Sequence, residues 1–102
     1  MTRETEIKFL IAEVMHRNAE RLRGHQVFLF GSRATGDAKS HSDFDIGVMG
    51  DAPLSLNDFY GIEDRLDELP TLYKIDCIDF NHASPRLSER AMQQVEVIHG
   101  LE

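Results

Sequence analysis

The chain has 102 residues, 41% hydrophobic and 28% charged, with a formal net charge of −7. That is room for one domain with one core, and the composition is that of a globular chain, neither disordered nor collagen-like. Its only cysteine, Cys77, excludes an internal disulfide and a cysteine-based zinc cluster. The negative balance argues against nonspecific binding to nucleic acid. Residues 1–24 are close to balanced, with five basic and four acidic side chains, whereas residues 51–70 carry six acidic and one basic. A solvated helix face is the plain account of that acidic stretch, and a docking surface for a basic partner is the other.

In chain order, Ile7, Leu10, Ile11, Val14, Met15, Asn18 and Leu22 form one helical stripe, which Gly24 is expected to end. Gln26 to Phe30 reads as a strand buried on both faces, and Gly31-Ser32 breaks it. Residues 33–41 are small and polar, with space for one helical turn. Asp43 to Met49 is a second strand, with Phe44, Ile46 and Val48 on one face and Asp43, Asp45, Gly47 and Met49 on the other. After the turn at Gly50–Pro53, a helix begins at Ser55 or Asn57 and uses Leu56, Phe59, Ile62, Leu66 and Leu69. Tyr73 to Phe80 is a third strand. Ser84 then caps a last helix with Pro85 in its first position, carried by Leu87, Ala91, Val95 and Ile98. The predicted fold is therefore α/β or α+β, with a three-stranded sheet. Residues 1–100 are expected to form a single domain, and Leu101-Glu102 resembles a cloning scar. No apolar run exceeds the four residues of Val27 to Phe30, too few for a membrane span, and the amino-terminal residues lack a signal-peptide core; a cytoplasmic location is expected.

The chemistry-bearing segment runs from Gly31 to Asp45. Two carboxylates two residues apart on a strand point the same way, so Asp43 and Asp45 converge. Such a pair repels unless a cation lies between, and hard oxygen ligands suit Mg²⁺ or Mn²⁺. Gly31 allows backbone N–H groups to approach an anion, and the Ser32 hydroxyl adds a donor. A phosphate cradle beside a metal-binding carboxylate pair is minimal equipment for phosphoryl or nucleotidyl transfer. Two near misses fall away. Gly31 and Gly36 have the Walker A gap, but Asp37 occupies the lysine position, and Asp43-Phe44-Asp45 lacks the remaining ligands of an EF-hand loop. A third carboxylate would come from Asp76 or Asp79, which face opposite ways on a regular strand. Spacing does not choose between them, although a mid-strand acid is the harder to explain without a partner, which favours Asp76.

Gly31-Ser32, ten residues from Arg33 to Ser42, then Asp43-Phe44-Asp45 resembles the signature of the minimal nucleotidyltransferases of the DNA polymerase β superfamily. Arg33, Ala34, Gly36 and Ser42 fit it too, and Ile75-Asp76-Cys77-Ile78 resembles the context of the family's third carboxylate, which supports Asp76. The resemblance implies a mixed sheet with helices mainly on one face, two divalent ions (Mg²⁺ or Mn²⁺) at Asp43, Asp45 and Asp76, and a nucleoside triphosphate held at Gly31, Ser32, Arg33 and Ser42. It also implies transfer of a nucleoside monophosphate, AMP from ATP, to an acceptor hydroxyl. Stand-alone members of this size pair with small helical HEPN-type proteins, which implies an antitoxin-like protein adenylyltransferase. Two alternatives use the same motif: a binding module that neutralises such a partner by contact, and an AMP transferase acting on a small molecule. Arg33 is equally readable as a surface ion pair, His41 as an ordinary loop histidine, and Cys77 as a small core residue.

Overall fold

The computed structural model describes residues 3–36, 38–39 and 42–100. The expectations for His41 and for Leu101 and Glu102 fall outside the described residues. The elements are α1 (Arg3–Arg17), β1 (His25–Phe30), α2 (Ser32–Thr35), β2 (Phe44–Gly50), α3 (Leu56–Asp67), β3 (Ile75–Asp79), α4 (Pro85–Met92) and β4 (Glu96–His99).

The four strands form one sheet in the order β3-β2-β1-β4. β1 pairs antiparallel with β2 and with β4, while β2 and β3 run parallel. A parallel neighbour demands a crossover, which α3 supplies. Alternation along the strands divides the sheet's side chains between two clusters. Val27, Leu29, Phe44, Ile46 and Val48 meet Ile7, Ile11 and Met15 of α1 and Ile62 and Leu66 of α3. On the opposite face Phe28, Phe30 and Phe80 pack together, with ring centroids 5.0 Å apart for both Phe28–Phe80 and Phe30–Phe80. Gly47 makes that aromatic cluster possible, because a β-carbon there would stand 2.6 Å from the Phe28 ring. The two long helices thus share one face, as expected. Short α4 lies against the aromatic cluster through Ala91, and its Ser88 Oγ donates to Phe80 O at 3.4 Å.

The sheet has four strands where three were expected, and this corrects the reading of the carboxy-terminal segment. The last helix stops at Met92, and Glu96–His99 forms β4 against β1. Val95 and Ile98 suit a helical stripe, but β1 offers a free edge whose backbone groups need partners, and that pairing wins over the period. Lys8 Nζ lies 3.0 Å from Glu96 Oε1, joining α1 to the new edge. A second correction concerns α1, which ends at Arg17 rather than at Gly24. Asn18 Nδ2 donates to Val14 O at 2.7 Å, and a series of turns follows to Gly24. Leu22 is nonetheless buried. The cap at Ser84 forms as expected, with Pro85 at the start of α4, and Ser55 caps α3 in the same way, each hydroxyl accepting an N–H three residues on.

Candidate active site

The candidate residues lie where β1, β2 and β3 run side by side. Phe30, the last residue of β1, is the register partner of Asp45, and Asp45 is the register partner of Asp76. In a parallel pair, register partners project to the same face, so the Asp45 and Asp76 carboxylates stand as neighbours. Gly31 follows Phe30 directly and completes the row. Its φ of 74° and ψ of −156° lie where only glycine is at ease. A β-carbon at Gly31 would sit 2.5 Å from Asp45 Oδ2, so the turn after β1 closes directly onto the Asp45 carboxylate. Ser32 then opens the single turn of α2, with Ala34 and Thr35 N–H both donating to Gly31 O.

Asp45 is half-buried, and its carboxyl pKa is pushed up by burial first, then by the negative charges of Asp76 and Asp43. Lys74 opposes that rise, and its Nζ lies 3.6 Å from Asp76 Oδ1. Asp43 lies just before β2 and is exposed, beside Arg3, Leu72, Tyr73 and Lys74. A carboxyl whose proton is held more tightly by two neighbouring acids marks a place where a cation is welcome. Among the described residues no group of three His, Cys, Asp or Glu side chains closes around a point tightly enough to hold a metal unaided. That is compatible with Mg²⁺, which takes one or two carboxylates and completes its shell from substrate phosphates and water. The donor set fits such an ion.

Asp79 is excluded from this group by the pleat. It is buried, and its carboxylate accepts Leu54 N–H and Asn81 N–H, both at 2.9 Å, which anchors the segments flanking β2 and β3. Cys77 also turns away from Asp76. Burial first, then Glu63 and Asp79, push its thiol pKa to about 12, as befits a packed residue rather than a nucleophile.

Arg33, read from the sequence as a phosphate contact or an ion pair, makes an ion pair with Glu4. It is 8% exposed, and Nη2 and Nε both donate to Ser42 O, at 2.7 and 3.3 Å. Nη1 reaches Glu4 of α1 at 3.4 Å, and the guanidinium carbon lies 4.4 Å from the Phe44 ring centroid and 5.2 Å from that of Tyr73. Arg33 therefore clamps the residue next to Asp43 onto α1. Ser42 is occupied likewise: its hydroxyl accepts Lys39 N–H at 2.9 Å and closes the loop ahead of β2. Lys74 is the site residue that motif spacing passes over. Its signal is the two-residue offset from Asp76, the same rule that pairs Asp43 with Asp45.

Comparison with solved structures shows the same architecture elsewhere. A toxin-antitoxin solved with AMP-PNP superposes with a TM-score of 0.70 at 21% identity, covering 93% of this chain and 74% of the other. A tri-AMPylated Shewanella oneidensis HEPN toxin in complex with its MNT antitoxin gives 0.62 at 20% identity, covering 92% and 73%. A structure described as a minimal nucleotidyltransferase gives 0.65 at 23% identity, covering 93% of this chain and 95% of that one. Comparison with curated protein sequences gives no significant match. The family described as polymerase beta, nucleotidyltransferase, matches residues 11–101, nearly the whole chain. With the Gly-Ser turn, the Asp-x-Asp strand and the acid of the adjacent strand in one row, this chain belongs to the polymerase beta nucleotidyltransferase family.

Proposed function

We propose that this chain transfers AMP from ATP to a hydroxyl of a small helical HEPN-type protein, as the antitoxin half of a pair. The observation that carries the reading is the row Gly31–Asp45–Asp76 across three neighbouring strands, with Asp43 at its entrance. The likeness to structures containing AMP-PNP and an AMPylated HEPN toxin supports the choice of nucleotide and partner.

In this reading the Gly31-Ser32 turn holds the β- and γ-phosphates through backbone N–H groups and the Ser32 hydroxyl. Asp43, Asp45 and Asp76 would hold Mg²⁺ or Mn²⁺, which supplies charge neutralisation at the phosphates when bound. The acceptor hydroxyl oxygen attacks the α-phosphorus, forming one O–P bond while the bond to the β-phosphate oxygen breaks. Pyrophosphate leaves with that electron pair. The acceptor proton passes to Asp76, the acid on the outermost of the three strands, and from there to water. Arg33 keeps Ser42, and with it Asp43, in place through the cycle.

The test is calorimetric titration of ATP with and without Mg²⁺, on wild type and on Asp43→Asn. Metal-dependent binding that the variant loses supports the site. Equal binding by both proteins would place the nucleotide elsewhere. Label from α-phosphate-labelled ATP should then appear on a HEPN-type partner with wild type and not with Asp43→Asn/Asp45→Asn. Partner neutralisation that survives in the double variant would make contact, not transfer, the working principle.

A further inference from the structure

Among the described residues β3 is an end strand of the sheet, and one of its edges meets no other strand. Phe44 N–H donates to Lys74 O at 2.9 Å, and Phe80 N–H to Val48 O at 2.8 Å. Even-numbered residues therefore turn their backbone groups towards β2, and alternation leaves those of Ile75 and Cys77 on the free edge. Two hollows meet along this edge at Cys77. One, of about 270 Å³, is bounded by Glu63 and Asp67 of α3 and by Lys74 and Asp76. The other, of about 410 Å³, is bounded by Leu54, Leu56, Tyr60, Ile78 and Leu87. Leu56, a member of the predicted apolar stripe, is 66% exposed, and Tyr60 one turn on is 54% exposed. An open backbone edge thus runs from an apolar hollow to an acidic one, and the acidic end reaches Asp76.

We propose that this edge docks an extended segment of a partner protein, added to β3 as a further strand. Its basic side chains lie against Glu63 and Asp67, and an apolar side chain fills the hollow at Leu56, Tyr60 and Leu87. Unpaired strand edges take extended peptides through main-chain hydrogen bonds, while flanking pockets choose the side chains. Charge selects the occupant. A second copy of this chain would bring the same acidic wall and a net charge of −7 against its own kind, whereas a basic segment is drawn in. The proposal rests on the transfer reading in one respect only: the end of the segment near Asp76 would carry the acceptor hydroxyl.

The experiment uses the isotope-labelled full chain and two synthetic peptides, one alternating Val with Lys and the other Val with Glu. The Lys peptide should give saturable NMR shifts at Ile75, Cys77, Leu56 and Tyr60, with slowed amide exchange at Ile75 and Cys77. The Glu peptide should bind about tenfold more weakly or less, and Glu63→Lys/Asp67→Lys should reverse the preference. Shifts that spread over the acidic surface and spare Ile75 and Cys77 would overturn the proposal. So would no saturable shift, or self-association without peptide. Asp43→Asn/Asp45→Asn should bind the Lys peptide as wild type does. Failed docking with intact Mg²⁺-dependent ATP binding thus refutes this surface alone, and the converse refutes the transfer site alone.

Discussion

Replacing Gly31 by alanine should damage this protein in two separable ways. The backbone contribution follows from φ 74° and ψ −156°, a region that costs a side-chain-bearing residue about 1–3 kcal/mol. The contact contribution follows from the new β-carbon, 2.5 Å from Asp45 Oδ2 and 3.4 Å from its Cγ, which forces the carboxylate off its rotamer for about 0.5–1.5 kcal/mol more. A total of about 2–4 kcal/mol is expected. Gly36→Ala is the reference, since its φ of 83° is also positive but nothing lies within 4 Å of the added carbon. It should cost only about 1–2 kcal/mol. Urea unfolding of both variants, with unchanged m-values, measures the difference. Repeating Gly31→Ala in an Asp45→Ala background should recover the contact contribution, because the clash partner is gone. Gly31→Ala should also lose Mg²⁺-dependent ATP binding, while Gly36→Ala keeps it. A Gly31→Ala protein no less stable than Gly36→Ala, with no recovery in the Asp45→Ala background, would refute the close approach of turn and carboxylate.

Arg33→Met should cost about 2–4 kcal/mol, since it removes charged hydrogen bonds to Ser42 O and Glu4 together with the contacts to Phe44 and Tyr73. Arg33→Lys should fall between, and a Met variant as stable as wild type in urea would argue against the clamp. Asp79→Ala should cost about 1–3 kcal/mol by leaving the buried Leu54 N–H unpaired, whereas Asp76→Asn, which relieves the repulsion on Asp45 but gives up the Lys74 ion pair, should leave stability nearly unchanged and remove transfer. In metal-free buffer, Asp45→Asn should melt above wild type at pH 7. The raised carboxyl of Asp45 favours the protonated folded state, so its ionisation destabilises the fold above the folded pKa, and this penalty disappears as pH falls towards the ordinary carboxylate range. Thermal melts across that range check the sign, and a constant gap would contradict it. The Cys77 thiol, pushed up to about 12, should resist alkylation at pH 8 in the folded protein and react quickly in urea.

The parts of this molecule legible in its sequence are those governed by local rules. Phe44, Ile46 and Val48 alternate into the core while Asp45 and Gly47 face the other way, and Asp76 and Asp79 separate by the same pleat. Ser84 advertises its cap, and Ser55 is one of two starts that the pattern offers for α3. The rest depended on partners distant in the chain. Val95 and Ile98 satisfy a helical and an extended pattern alike, and only the free edge of β1 decides between them. The burial of Arg33 needed Glu4 and Tyr73 from two remote segments, and spacing from the Gly-Ser pair said only that a cation was near phosphate-binding residues. Leu56 shows the same limit in reverse: it belongs to the apolar stripe of its helix, yet it stands 66% exposed.

The parallel seam between β2 and β3 joins Asp45 to Asp76 as register partners, so like charges face each other across the hydrogen-bonded ladder at one rung. The ladder and the repulsion act in opposition there. Anything cationic that settles between the two acids works as a rivet, converting a strained rung into a fastened one and gaining its binding free energy as fold stability. Amide protection along Ile46, Gly47 and Ile78 should then rise with divalent cation before any nucleotide is added. In this arrangement occupancy of the site and the tightness of the sheet are the same quantity, read from two ends of the molecule.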